Sequence, residues 1–283
     1  MRKTGWCTIY ANIFPLRGGM IMHFKFFGPL LAAATFACGS IASAADMPVK
    51  ASPATPVVAA PYSWTGFYVG GHVGGGSARS SANWDPLPSP AVFDAIPVAF
   101  QLHGRGFLGG VQAGYNWQFA PAWVAGIEAD FSGTRINDSA SQTVSFFFNG
   151  LPAPPSRVDM SRDVKWLASV RGRLGFLVAP TWLLYGTGGF AFGQVNYHGF
   201  FQNSVPTAWL PADLTKTETG YVLGAGVEWT VMANWQLRAE YLYYNLKGES
   251  VSGFNPAAIN FPIQFSWGST AINTGRVALS YKF

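Results

Sequence analysis

Charge is scarce in this chain. Only 11% of its 283 residues are Asp, Glu, Lys or Arg, against about 25% in an ordinary soluble domain. The shortage does not signal disorder, because 49% hydrophobic and 16% aromatic residues supply ample material for a core. Cysteine is almost missing, with only Cys7 and Cys38. Both fall in a stretch that reads as a leader, so the chain from residue 45 onward can form no disulfide, cysteine metal site or thiol nucleophile. Cys38 as a lipidated N-terminus is poorly supported, since Thr35-Phe36-Ala37 lacks the small, Leu-led pattern such a cysteine follows. Beyond the leader the histidines are His72, His103 and His198, too scattered to suggest a metal site. Long helices are disfavoured by 33 glycines and by aromatic side chains that lose rotamer freedom in helices.

The basic excess, 18 Lys and Arg against 13 Asp and Glu, is mostly leader. Arg2, Lys3, Arg17 and Lys25 precede residue 45, where no acid occurs, leaving 14 bases against 13 acids, a net charge of +1. A nucleic-acid partner would need bases clustered on one face, and none is expected. From Met22 the chain runs Met-His-Phe-Lys, then an apolar stretch from Phe26 to Ala37, then Ala42-Ser43-Ala44. This is the order of a secretory signal peptide cleaved before Ala45. Residues 1–44 are therefore expected to be the signal peptide, with 1–21 an over-extended start. Ala45 to Pro61, with four prolines, reads as an extended periplasmic linker, and 62–283 as the folded domain.

From Trp64 onward, segments of nine to thirteen residues alternate between apolar and small or polar positions. Phe67, Val69, Gly71 and Val73 oppose Tyr68, Gly70, His72 and Gly74; Trp123, Ala125, Ile127 and Phe131 oppose Gly126, Glu128 and Asp130. The segments near 107–119, 166–178, 221–230, 235–244 and 276–283 repeat the pattern, and Trp182–Gly193 does so least clearly, with both faces apolar or glycine. Period two over eight segments is a β signal. Three links are tight turns, at 120–122, 179–181 and 231–234. The four between them, near 77–104, 133–163, 194–219 and 246–269, are long and polar or Pro-rich. Alternating long and short links predict an all-β, eight-stranded antiparallel up-and-down transmembrane barrel. It would have four long external loops and both termini on the short-turn, periplasmic side.

Which face points outward decides between a soluble carrier and a membrane barrel. The polar face carries Glu128, Asp130, Arg171, Arg173, Glu228, Arg238, Glu240, Arg276 and Lys282. Nearly balanced signs suit a closed interior of ion pairs, although a solvated outer face also accommodates them. Tryptophan placement favours the membrane. Trp64, Trp117, Trp123, Trp182, Trp229 and Trp235 sit at strand ends on the short-turn side, with Tyr281 and Phe283. That is the banding of an aromatic girdle at a headgroup layer, and Trp166 and Trp267 would begin the opposite ring.

Trp64-Thr65-Gly66-Phe67-Tyr68-Val69-Gly70-Gly71, Gly114-Tyr115-Asn116-Trp117-Gln118, Gly126-Ile127-Glu128-Ala129-Asp130, Arg238-Ala239-Glu240-Tyr241-Leu242-Tyr243 and the terminal Tyr281-Lys282-Phe283 resemble successive segments of one family. It is the small outer-membrane barrels of rhizobial-type bacteria, described as outer membrane immunogenic or porin-like surface antigens. The start Ala45-Asp46-Met47-Pro48 is similar to theirs. The resemblance implies an eight-stranded barrel with a filled interior and a structural or surface role, and it transfers no catalytic residue.

Other motifs read as decoys or as local packing. Gly186-Thr187-Gly188-Gly189-Phe190-Ala191 matches a dinucleotide-binding spacing, but no helical period follows it. His198, Ser204 and Asp213 supply hydrolase residue types without a known spacing, and no enzyme is expected. Phe146-Phe147-Phe148 with Pro152, Pro154 and Pro155 is an apolar run in an expected loop, available to lipopolysaccharide or a host surface. The final strand, ending on Phe283, looks like the signal read by the barrel-assembly machinery.

The expected function is thus an integral outer-membrane protein serving envelope integrity, surface exposure or adhesion. Its expected partners are outer-membrane lipids, lipopolysaccharide and the assembly machinery, with no cofactor and no metal. A narrow channel for small solutes is the alternative, followed by a lipid-modifying enzyme.

Overall fold

In the computed structural model the described residues are 62–86, 93–95, 98–148, 151–152, 154–202, 209–253 and 263–283. The expected leader and linker lie outside them, as does Ser204. Eight long strands form the wall: β1 (Gly66–Pro86), β2 (Val98–Ala120), β3 (Trp123–Val144), β4 (Ser156–Ala179), β5 (Trp182–Gln202), β6 (Trp209–Met232), β7 (Trp235–Leu246) and β8 (Thr270–Lys282). Each pairs antiparallel with its sequence neighbours, and β8 pairs with β1, so the sheet closes and has no edge at the level of the ring.

The register fixes the barrel's dimensions. Cross-strand partners starting at Phe67 run through Tyr115, Ile127, Gly172, Gly188, Leu223, Tyr243 and Asn273, and return to β1 at Ser77. One circuit climbs from residue 67 to residue 77, a shear of ten. With eight strands, a rise of about 3.3 Å per residue and a spacing of about 4.8 Å, the strands tilt by ~41°. Each residue then advances ~2.5 Å along the axis.

At the short-turn end the tight links are Pro121-Ala122, Pro180-Thr181 and Ala233-Asn234. Backbone bonds tie this rim together: Leu177 donates to Ala122, Thr230 to Thr181, Lys282 to Asn234 and Phe283 to Phe67, at 2.8–2.9 Å.

The strands correct one expectation. The segments near 77–104, 133–163 and 194–219 are not chiefly loops but continuations of β1 to β6, which reach 21–24 residues. On the remaining side, the pair 249–253 and 263–267 carries the wall upward against the top of β1. Short strands at 93–95, 146–148 and 151–152 pair into a small separate sheet.

The reason these polar stretches are pleated is that they still alternate, with the opposite sense. Lower down, Phe67, Val73, Val111, Ile127, Val170 and Leu184 point outward while charged groups point in. Higher up, Arg79, Ser81 and Asn83 point outward while Ala78, Ala82 and Trp84 point in. Phe100, Leu102, Ile136, Val158, Val195 and Phe265 join them in one apolar interior cluster. The barrel is therefore inside-out over its lower half and built like a soluble protein over its upper half.

The lower outward apolar belt spans, for example, Trp123 to Phe131 and Trp182 to Phe192. At ~2.5 Å per residue it is ~20–25 Å tall, close to the height of a hydrocarbon-facing band.

A bulge helps manage the change. On β4 the register against β5 shifts between Val164 and Trp166. Above it the even positions Met160, Arg162 and Val164 are buried; below it the odd positions Leu167, Ser169 and Arg171 are. Lys165 and Trp166 both end up facing outward, a cation beside an aromatic ring at the top of the belt.

Candidate functional site

The lumen inside the belt is an ion-pair lattice. β3 supplies Glu128 and Asp130, β4 Arg171 and Arg173, β6 Glu228, β7 Arg238 and Glu240, and β8 Arg276, all inward and buried. Glu128 is the hub: Arg171 and Arg238 each donate to its carboxylate, Tyr68 Oη donates at 2.5 Å, and Arg173 and Arg276 lie at 3.8 Å. Glu228 accepts from Arg173 at 2.6 Å and Arg238 at 3.1 Å. Glu240 accepts from Arg171 at 3.1 Å, Arg276 Nε at 2.7 Å and Tyr185 Oη at 2.9 Å. Asp130 accepts from Ser169 and from Arg276 at 3.1 Å. Four acids therefore face four guanidiniums, and each ion touches at least two of opposite sign or a hydroxyl, as buried charge requires.

The strands that bring no charge bring aromatic or amide groups. Tyr68 on β1 and Tyr185 on β5 lie against the guanidiniums; Arg173 sits 4.1 Å from the Tyr185 ring and Arg238 5.3 Å from the Tyr68 ring. The sequence left β5 ambiguous because its inward side is Leu183, Tyr185 and glycine. Those inward positions are where the rings lie. A Cβ at Gly114 would come within 2.6 Å of Tyr68 Cζ, and one at Gly226 within 2.7 Å of Tyr185 Cζ. Only glycine leaves space for the rings. His72 Nε2 is 2.7 Å from Ser132 Oγ, and Gln112 donates to Ser280 at 3.1 Å. His72, Gln112, Tyr68 and Tyr185 are members of the lumen that charge pattern alone did not single out.

The lattice is tightly packed. The side chains of Glu128, Arg171, Arg173, Arg238 and Glu240 are at most 3% exposed, so they fill the bore at this level. Below, Lys282 donates to the Ser63 and Thr65 carbonyls at 2.6 and 3.0 Å rather than joining the lattice. Above lies the apolar cluster, interrupted by one ion pair, Arg162 to Asp138 at 3.4 Å, with Arg162 also donating to Thr270 at 2.6 Å. Burial pushes the Asp138 carboxyl above its ordinary value, against the pull of Arg162 and the His103 amide, and burial lowers the Arg162 guanidinium. Desolvation thus outweighs pairing on both sides. Since the folded state holds the Asp138 proton more tightly, this site loses stability as pH rises from the usual carboxylate range through the raised value. We expect D138L/R162M to leave the urea midpoint unchanged or higher, as replacement of a buried pair by apolar groups commonly does. A fall of more than ~1 kcal/mol would refute this reading.

The aromatic positions divide. Trp117, Trp123, Trp182, Trp229, Trp235 and Tyr281 face outward at the short-turn end. Trp182 stacks on Trp229 at 5.4 Å, and Trp235 meets Tyr281 edge-on at 5.3 Å. Trp64 does not join them, which corrects the sequence reading. It is fully buried, donates Nε1 to the Pro180 carbonyl at 3.1 Å and packs on Tyr62. It plugs the lower lumen with Val124 and Leu183, because the chain entering β1 folds back across the mouth.

Trp267 is likewise inside, 5.0 Å from the Tyr197 ring. The upper outward aromatics are instead Phe107, Phe131, Trp166, Phe192, Tyr221 and Tyr241. Phe283 is exposed, edge-on to Tyr281, and its amide closes on Phe67.

The other motifs fall on the wall. Gly186 to Ala191 is strand β5, with no helix to hold a pyrophosphate. His198 Nδ1 lies 2.7 Å from Asp213, but the serine opposite His198 in register is Ser161, not Ser204. This row faces outward in the open, where the β-ladder holds the neighbouring amides, so nothing there resembles a pre-arranged oxyanion site. Among the described residues no group of three or more His, Cys, Asp or Glu is placed to hold a metal. The Phe146–Phe148 strand pairs with 93–95.

Comparison with known proteins agrees with this architecture. A family model described as outer membrane protein β-barrel domain matches residues 31–283. The 31 kDa outer-membrane immunogenic protein of Brucella melitensis is 35% identical over 257 residues, covering 89% of this chain and 96% of its own length. A 22 kDa outer membrane protein of Rhizobium leguminosarum is 32% identical over 183 residues, 64% of each chain. Among solved structures, the outer membrane protein OprG of Pseudomonas aeruginosa aligns over 77% of this chain and 97% of its own, at 11% identity and a TM-score of 0.43. With its closed eight-stranded wall, its lipid-height apolar belt, the matching family model and the Brucella relative, the chain belongs to the outer membrane protein β-barrel family.

Proposed function

We propose that the protein is a non-conducting structural and surface-display barrel, with its short turns in the periplasm and its upper half standing in the external medium. The observation that carries this reading is the double closure of the lumen, by a buried ion-pair lattice within the belt and an apolar core above it. Water-filled porins need wide barrels, whereas eight strands leave a bore that side chains fill. The upper barrel, ~25 Å of strand beyond the belt at ~2.5 Å per residue, presents polar outward residues to the medium. Its function is then mechanical and antigenic rather than catalytic, in keeping with the immunogenic designation of the Brucella relative.

Two measurements test this. Purified protein in planar bilayers is expected to give no reproducible conductance; discrete, reproducible openings would overturn the closed-lumen reading in favour of a narrow channel. The absence of cysteine from residue 45 onward makes single-cysteine labelling clean. A membrane-impermeant maleimide on intact cells should label S139C on upper β3 and spare A122C in the short turn. The reverse pattern would invert the orientation.

A further inference from the structure

Just above the apolar belt, four outward-facing cations stand on four adjacent strands: Arg79 on β1, Arg105 on β2, Arg135 on β3 and Lys165 on β4, all exposed. The register places Ser77 opposite Arg105, Arg105 opposite Asn137, and Asn137 opposite Asp163. Along that hydrogen-bonded row the barrel climbs as it passes from β1 to β4, by the shear traced above. The cations step the other way, from two residues above the row on β1 to two residues below it on β3 and β4. The two slopes nearly cancel, so the four groups form a level arc. It spans three strand spacings, ~15 Å.

The arc is concentrated in one sector. At the corresponding level β5, β6 and β8 present Gln194, Thr217 and Asn273 outward, and the β7 side presents Asn245 with the exposed Lys247 two residues above it. Lys165 has one neighbour of opposite sign, Asp163 at 3.5 Å; Arg79, Arg105 and Arg135 have no ion-pair partner among the described residues. Directly beneath the arc are outward rings, Phe107, Phe131 and Trp166, the last two 5.6 Å apart. Guanidiniums over aromatics at the rim of an apolar belt are placed where lipid headgroups begin.

We propose that this arc binds the phosphate groups of an anionic glycolipid in the outer leaflet, seating one lipid against β1–β4. Three guanidiniums offer planar, multidentate donors to phosphate oxygens, and the breadth of the arc suits a headgroup bearing more than one phosphate. A sulfated polysaccharide arriving from the medium would meet the top of the barrel first, not this lower rim, so lipid is the better fit. The proposal rests on the orientation given under Proposed function, but its test does not.

The full chain in detergent micelles is titrated with diphosphorylated lipid A, the same lipid A after enzymatic dephosphorylation, inorganic phosphate and heparin, with bound lipid read by native mass spectrometry. Binding of the diphosphorylated lipid is expected to weaken tenfold or more in R79Q/R105Q/R135Q, to persist in the charge-keeping R79K/R105K/R135K, and to strengthen in D163N. It should be unchanged in the opposite-sector variant Q194A/N245A. Heat-modifiable migration verifies that each variant is folded, and R105Q alone stands in if the triple variant is not.

Equal binding by wild type and Gln variants would overturn the proposal. So would equal binding of the dephosphorylated lipid, displacement by equimolar inorganic phosphate, or a preference for heparin. Because micelles have no sidedness, a failed orientation in cells would leave this result untouched.

Discussion

Glu128→Gln is expected to lower the unfolding free energy by about 3–5 kcal/mol, as removal of one member of a buried ion network does. The substitution keeps the side chain's shape and removes one negative charge. Arg171 and Arg238 donate directly to that carboxylate, Tyr68 donates at 2.5 Å, and Arg173 and Arg276 stand at 3.8 Å. Four guanidiniums would then share three carboxylates in a buried space. The cost lies in the surplus positive charge rather than in a lost contact. R238M alone should be damaging for the mirror reason, and E128Q/R238M should recover part of the loss because the count is again balanced. Urea unfolding in lipid vesicles measures all three. Additive losses in the double variant would show that these residues stabilise by shape, and would remove the electrostatic account of the lumen.

A charge placed outward should be tolerated or rejected according to height alone. Val170→Arg lies within the apolar belt, where Val170 is 55% exposed, and is expected to destabilise by about 2–4 kcal/mol, the cost of an arginine facing hydrocarbon near mid-bilayer. Ser161→Arg is on the outward face of the same strand above the bulge, and should stay within ~0.5 kcal/mol of wild type. The two sites share a strand and a direction; only the surrounding solvent differs. If the two cost the same, the reversal of sidedness between the lower and upper barrel does not mark a membrane boundary.

Much of the lower barrel was legible in the sequence. Strict alternation in segments such as Phe67–Gly74 and Trp123–Ser132 reports the side of the sheet directly, because successive side chains in a strand point to opposite faces. The polar side of those segments already contained the eight ions of the lattice. Their pairing was not legible. Glu128 meets Arg238 across the bore from a strand four positions further along the wall, and only the shear of the closed ring brings them to one height.

Trp64 was misread because its place at a strand end is the same whether the chain before β1 runs away from the mouth or folds across it. Lys282 shares the inward parity of Arg276 but lies six residues lower on the same strand, where backbone carbonyls and not carboxylates await it.

The upper barrel is the instructive case. Segments such as Ser77–Trp84 and Ser156–Val164 carry an alternation as regular as that below, yet read as loops because their Ser, Asn, Asp and Arg residues raise their hydrophilicity. Local composition reports the solvent outside a strand as much as the strand itself, and above the belt that solvent changes from lipid to water.

By itself the sequence determined that the wall is β, that it has eight strands joined alternately by short and long links, and that its lower outward face is apolar. Those properties follow from neighbours two residues apart. The tertiary structure decided how far the strands continue, which ions neutralise one another, where the bulge at Lys165 resets the alternation, and that four cations from separate strands share one level. Each of these depends on the shear, which the ring acquires only when its last strand closes on its first.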